Sequence, residues 1–437
     1  MAHLALEDHP NRFKLVNELH ARPFPSLTPP CRAVYLAIKQ PANAAERDRE
    51  ADVAHLRGLL EHYGAPQPAP GVDHYSGELG RGFLKWEMHT EFVTYTLFSG
   101  EIAATPFSGD MFNLFPRDWL VQAPGRVITS CLVRVQAVEP QEMERAIERD
   151  LNQWFVPGSL AVSRVVDGAA TVAADFRLDE NGHTRFAVLA KPDIGRRRLG
   201  RIVQRLLEVE TYKTMAMLTL PLAREVATAT ARLDRALSDN VASMAEEQGH
   251  EPETLEELLK ISAEIELMSS TSAFRFSAAE AYEAIVAQRV DALREERIGG
   301  RQLLGEFMVR RFDPAMRTCR SAKARLTELS GRAERAANLL RTRVDVANQQ
   351  QNTEALRAME RRAALQLRLQ QTVEGLSVVA ISYYAVNLAA GLAAPLGDEI
   401  GWSRTAITAA LTLPVIAAVW FMVRRIRRHI VPEDESA

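Results

Sequence analysis

Two uncharged apolar runs near the C-terminus dominate the hydropathy pattern. Leu376–Leu396 holds twenty-one residues without a charge, against about 20 needed to span a hydrocarbon core. Gly397–Arg404 (GDEIGWSR) interrupts the pattern, and the uncharged run Thr405–Val423 follows. Two such runs back to back predict a transmembrane hairpin rather than a buried helical pair of a large core. Upstream, period-two alternation and β-branched residues predict strands at Cys31–Lys39, Phe83–His89, Glu91–Phe98, Val127–Val135, Leu160–Val166, Thr171–Leu178 and Thr184–Leu189. The last two flank Asp179-Glu180-Asn181-Gly182, a hairpin-turn signal. Ala42–His62 has an amphipathic helical period, with Val53, Leu56, Leu59 and Leu60 on one face, and Gln141–Trp154 also reads as helix.

Strand signals stop at Asp193. Ile194–Glu246 reads as helix broken or kinked at Pro221, and Glu251-Pro252 opens another running towards Arg297. Gly299-Gly300 ends that pattern, and Asp313-Pro314 supplies an N-cap and a first-turn proline. Beyond it Cys319, Ala322, Leu326, Leu329, Ala333, Ala336, Leu340, Val344 and Ala347 recur at spacings of three and four, a coiled-coil seam. Leu356, Met359, Ala363 and Leu367 resume it. A continuous helix from Pro314 to Gly375 would extend about 93 Å at about 1.5 Å per residue. The seam fits either intersubunit contacts or an intramolecular bundle with the preceding helices.

The expected class is therefore α+β: a mostly antiparallel N-terminal sheet with helices, then long antiparallel helices and a coiled-coil stalk leading to a two-helix transmembrane hairpin. The expected divisions are 1–192 (cytoplasmic α+β domain), 193–312 (antiparallel helices), 313–375 (stalk), 376–423 (hairpin) and 424–437 (basic cytoplasmic tail). Arg361, Arg362 and Arg368 precede the first apolar run, and Arg424, Arg425, Arg427 and Arg428 follow the second. By the positive-inside rule both termini face the cytoplasm and Gly397–Arg404 faces outward. Trp402 and Trp420 suit interfacial belts. The opening MAHLALEDHPNRF lacks a basic-then-apolar pattern, so no secretory peptide is expected.

Composition narrows the classes further. The 437 residues are 47% hydrophobic and 25% charged, with formal net charge −3, which argues against wholesale disorder and a dedicated nucleic-acid binder. Cys31, Cys131 and Cys319 are widely spaced and form no zinc or disulfide framework. Gly77-x-x-Gly80-x-Gly82 precedes a strand, so it lacks the context of a phosphate loop. His55 and His62 are seven apart, too far for a helical metal pair. No nucleophile–base signature is present, so neither catalysis nor a cofactor is expected.

The candidate chemistry lies in the first apolar run. An amide at Asn387 is costly in hydrocarbon unless it faces a partner helix or water. A ring of Asn387 carboxamides would offer oxygens to a hydrated divalent cation, with Ala380 and Leu376 on the same face; alternatively Asn387 bonds across the hairpin. Asp398 and Glu399 in the outward turn would concentrate cations. Eight glutamates against one lysine, Lys260, lie between Glu246 and Glu266, either a cation-sensing surface or a solvated face. Arg196, Arg197, Arg198, Arg201 and Arg205 fit a solvated helix start or an anion contact. His20 and Arg22 lie in a His20-Ala21-Arg22-Pro23-Phe24 string that reads as a packed arm or an anion site.

This layout resembles the CorA metal-ion transporters, pentamers whose first membrane helix lines the pore and ends in a Gly-Met-Asn signature. Tyr384-Ala385-Val386-Asn387 resembles a degraded form of it, keeping the tyrosine and asparagine; Leu339-Leu340 to Asn352 is loosely similar to the stalk. The resemblance implies Tyr384 and Asn387 at a pore mouth. The HARPF string, His9-Pro10…Arg12 and Ser382-Tyr383-Tyr384 also resemble an uncharacterised bacterial family described as membrane-anchored, of unknown function. The expectation is a homo-oligomeric divalent-cation channel or transporter of the bacterial inner membrane, with the lipid bilayer as partner. The alternative is a non-conducting anchored scaffold or regulator.

Overall fold

The computed structural model describes residues 7–18, 23–42, 44–245, 251–400 and 403–430, without the side chains of 14, 17–18, 251–253, 394–400, 404 and 427–430. His20, Arg22 and Trp402 lie outside the described residues. The chain divides into two compact units, Met1–Ala337 and Asn338–Ala437.

The first unit contains α1 (Arg12–Glu18), β1 (Cys31–Lys39), α2 (Arg49–His62), β2 (His74–Leu79), β3 (Gly82–Met88) and β4 (Phe92–Ser99). Then follow α3 (Arg117–Val121), β5 (Arg126–Ala137), α4 (Met143–Ala146), a π-helical turn Ile147–Leu151 and α5 (Asn152–Trp154). β6 (Ala161–Val165), β7 (Ala170–Ala174) and β8 (Thr184–Ala190) complete the main strands. The long helices α6 (Arg196–Met217), α7 (Thr219–Ala245) and α8 (Glu251–Leu293) precede a two-residue strand β9 (Glu296–Arg297) and α9 (Leu304–Arg311). Among the described residues the strands form one nine-stranded sheet ordered β2-β3-β4-β1-β5-β8-β7-β6-β9, parallel only between β5 and β8. The α+β class is as expected from the strand and helix periods.

β1 occupies the middle of this sheet, and its sequence reads as a continuous apolar run because both faces are covered. Cys31, Ala33, Tyr35 and Ala37 face α6, against Leu199, Ile202, Val203 and Leu206. Val34, Leu36 and Ile38 face α2 and α3, against Val53, Leu56, Leu59, Leu60 and Trp119. The four apolar positions expected on one face of α2 are thus all in the core. A third cluster packs Ile147, Leu151 and Phe155 onto Val162, Ala187 and Leu189. The GxxGxG string is the β2–β3 hairpin, with Gly80 at φ +54°, as its strand context requires. The break expected at Pro221 falls at Leu218 instead, and Pro221 sits in the first turn of α7, where a missing N–H costs nothing.

His55 is buried rather than poised for a metal. Its Nε2–H donates to the Trp119 carbonyl (3.0 Å), so Nδ1 accepts from the Tyr95 hydroxyl (2.9 Å), and the ring stacks on Trp119 at 3.9 Å. Burial lowers its pKa from 6.5, and burial does the same to His183. A depressed histidine contributes stability that is full above about pH 6.5 and is lost as pH falls through the folded pKa. Thermal stability should therefore decline below about pH 6.5, and His55→Gln should flatten that decline. An unaltered slope in the variant would place the titration elsewhere.

α10 (Asp313–Ile400) begins in the first unit at the expected Asp313-Pro314 start. Cys319, Ala322, Leu326, Leu329, Ala333 and Ala336 are all buried within this single chain. Arg320 pairs with Glu283 (2.6 Å) and Lys323 with Glu280 (2.8 Å) on α8, while Arg332 reaches Asp234 and Ser238 on α7. This half of the seam is an intramolecular helical bundle.

In the second unit Leu340 is buried and Val344 half-buried, but every residue from 348 to 373 is exposed. α11 (Arg404–Ile430) follows, with Pro414 inside it. α10 runs on to Ile400, so Asp398 and Glu399 belong to its last turns rather than to a loop; their side chains lie outside the description. A glycine such as Gly397 costs only about 1 kcal/mol in a helix, too little to end this one.

Candidate functional site

Two helices, α10 in its C-terminal part and α11, are long and apolar enough to cross a membrane. Along α10, Ser382, Val386 and Ala390 are buried at spacings of four, as are Ile407 and Val419 of α11. Between the helices runs a groove of about 430 Å³ lined by Val379, Ser382, Tyr383, Val386, Asn387, Thr408, Thr412 and Ile416, among others.

The expected site residues occupy the other side of α10. Leu376 (74% exposed), Ala380 and Tyr384 (73%) share an open face, and Asn387 lies at the rim of the groove, also exposed. Among the described residues Asn387 makes no hydrogen bond, so it does not tie the hairpin together. Leu376, Ala380 and Asn387 fall on one side because spacings of four, seven and eleven residues return to nearly the same azimuth.

The glutamate-rich start of α8 behaves as a paired, solvated face where it is described. Glu256 bonds Lys260 (2.7 Å), Glu264 pairs with Arg232, and Glu257 accepts from Asn240 (3.3 Å). Glu246 and Glu247 lie outside the described residues. Among the described residues no group of three His, Cys, Asp or Glu is placed to hold a metal ion. Arg196, Arg197 and Arg198 are exposed at the start of α6, while Arg205 donates to the Ala292 carbonyl (2.8 Å). The three thiols are buried, and burial pushes Cys31 up to about 12.

Sequence reasoning missed a buried ionic cluster in the first unit. Glu91 is 1% exposed and accepts from Arg275 at 2.5 and 3.4 Å and from the Tyr282 hydroxyl at 2.7 Å; Lys39 Nζ stands 4.0 Å away. Beside it Arg47 bonds Asp52 (2.7 Å) and the His89 carbonyl (2.7 Å). A cavity of about 320 Å³ opens next to this cluster, walled by Arg49, Asp73, His89, Phe92, Tyr212 and Tyr282 among its lining residues. Tyr212 and Tyr282 stack at 5.5 Å. Only the sequence separation, 184 residues between Glu91 and Arg275, hid the arrangement.

The arm following the HARPF string also has a definite seat. Leu27 N–H donates to the Arg196 carbonyl (3.1 Å), and a Cβ on Gly200 would lie 1.6 Å from the Pro25 carbonyl oxygen. Gly200 is thus the point where the chain crosses α6 backbone to backbone.

No curated protein matches this chain. The CorA likeness and the weight placed on the HARPF string find no support in comparison with known families. One family, described as "Protein of unknown function (DUF3422)", matches residues 7–430, so the chain belongs to that family.

Proposed function

We propose that the two apolar helices cross the bacterial inner membrane as a hairpin and that copies of the chain assemble around Asn387 to pass hydrated divalent cations. The observation that carries this reading is the exposed Asn387 carboxamide at the rim of the groove, without a hydrogen bond among the described residues. In hydrocarbon such an amide is destabilising unless another subunit or water meets it. A ring of carboxamide oxygens would hold a cation that keeps its water, while apolar rings at Ala380 and Leu376 gate by dewetting. The arginines before the first span and after the second support a topology with both termini in the cytoplasm. Asp398 and Glu399, at the opposite end of the spans, would raise the local cation concentration.

Cation uptake into proteoliposomes holding assembled full-length protein tests the reading, with Mg²⁺, Co²⁺ and Ni²⁺ followed by an enclosed fluorescent reporter. Wild type should give flux well above empty liposomes, and Asn387→Ala should abolish it with assembly intact. If wild type never exceeds empty liposomes at any internal metal concentration, conduction falls and a non-conducting anchored scaffold stands in its place. If Asn387→Ala instead lowers thermal stability or assembly, Asn387 is a packing residue.

A further inference from the structure

Ser382 is an anomaly within the hairpin. The hydroxyls of Thr372, Ser377 and Thr412 each donate to the carbonyl four residues back, at 2.9, 2.8 and 2.7 Å. Ser382 makes no such bond: its residue is 6% exposed, its Oγ has no partner, and it lines the apolar groove between α10 and α11. A buried hydroxyl without a partner is destabilising, most of all where no water is available. The complementary misfit is Tyr384, 73% exposed, whose hydroxyl makes no hydrogen bond among the described residues.

We infer that the groove at Ser382 is the seat for Tyr384 of a second copy of this chain, the phenol packing against Val379, Val386 and Ile416 with its hydroxyl bonded to Ser382 Oγ. Depth supports the match. Copies related by rotation about the membrane normal keep each residue at one level, and Tyr384 lies only about 3 Å along the helix from Ser382. The two groups cannot meet within one helix, because two residues turn it by about 200°. Each chain therefore offers a groove on one side and a tyrosine on the other, a head-to-tail contact that closes into a ring rather than a two-fold pair.

The two groups lie on nearly opposite sides of the helix. Taking Leu376 as the origin and about 100° per residue, Ser382 lies about 120° to one side and Tyr384 about 80° to the other. Asn387 lies about 20° from Leu376, between the two contacts. A lipid chain could fill the apolar groove, but its hydrocarbon leaves both hydroxyls unbonded. The inference rests on the membrane-spanning, oligomeric part of the proposed function and is independent of whether ions pass.

Photo-crosslinking of full-length protein in native membranes tests it, with p-benzoylphenylalanine placed at Tyr384. Mixed isotope-labelled and unlabelled copies should yield intermolecular products extending beyond dimers. Their attachment points should fall at Val378–Ile416 positions lining the groove. Adducts to lipid alone, attachment to Leu376, Ala380 or position 384 of the other copy, or no product above monomer would each overturn the inference. A second measurement does not need the bulky probe. Ser382→Ala and Tyr384→Phe should each lower the assembled fraction, and the double variant should lose no more than either alone, as expected of one shared bond. Additive losses would count against the pairing. A ladder without cation flux would leave the interface and remove conduction; flux without the ladder would do the reverse.

Discussion

Glu91→Ala is expected to lower the unfolding temperature of the sheet-bearing unit by roughly 4 °C, followed by tryptophan fluorescence of full-length protein in detergent. The carboxylate is 1% exposed and carries Arg275, the Tyr282 hydroxyl and, more distantly, Lys39. Its removal leaves a guanidinium and an ammonium facing each other in a low-dielectric site. Breaking a buried pair typically costs about 3–5 kcal/mol. The lower end applies, because the Arg275 side chain keeps 19% exposure and can recruit water. About 3 kcal/mol corresponds to the stated shift at about 1.4 °C per kcal/mol, from an unfolding entropy of about 2.1 cal/mol/K per residue over this unit. Removing both partners, as Glu91→Leu with Arg275→Leu, should recover part of the loss, because no unpaired charge remains. Equal or greater destabilisation of the double variant would mean that the cluster acts through packing rather than charge. The cluster joins the β3–β4 turn to α8, so its loss should loosen the side of the sheet that borders the Tyr212–Tyr282 cavity.

Leu326→Asp should be more damaging still, by about 4 kcal/mol or more, and its effect should appear within each chain. Leu326 is 4% exposed among α10, α7 and α8. Truncating a buried leucine alone costs about 2–5 kcal/mol. A carboxylate there also lacks any counter-ion, since the bridging Arg320, Lys323 and Arg332 are already engaged. The fluorescence transition should fall or vanish even at protein concentrations that favour assembly. Leu356→Asp makes the contrast, because Leu356 is 62% exposed. It should leave the transition of the sheet unit unmoved, and any effect on crosslinked assembly would assign Leu356 to a contact between copies. A loss of stability equal to that of Leu326→Asp would show that the exposed stretch is covered within one chain.

The seam also shows how much of the molecule could be read from periodicity. The same spacing of three and four recurs from Cys319 to Ala347 and again from Leu356 to Leu367, yet the structure buries its first part and exposes its last. Spacing identifies an apolar stripe; which surface covers it depends on helices brought alongside by tertiary packing. Strand positions were legible because β1, β3, β4, β5 and β8 are rich in β-branched and aromatic residues. β2 (HYSGEL) and β9 (ER) escaped notice because an edge strand needs no continuous apolar face. Ser382 and Asn387 illustrate the same boundary at the candidate site. Both are polar interruptions in one apolar run, five residues apart. Composition flags both, but only the helix pairing distinguishes the hydroxyl turned into the groove from the amide left at its rim.

The central pairing of β1 with β5 carries a consequence for the timing of synthesis. Cys31 pairs with Val135, so the middle of the sheet cannot close until residue 137 has left the ribosome. Its second covering layer, α6, ends at Met217, and the first long apolar run begins at Leu376, roughly 160 residues later. At about 5–20 residues per second this interval lasts about 8–30 s, long compared with the millisecond-to-second folding of small domains rich in non-local strand pairs. The sheet and its α6 layer can therefore be complete while the chain is still being made, before the two long apolar helices emerge. A variant that slows closure of the sheet would bring the two events together, and its earliest symptom would be a nascent chain captured by chaperones.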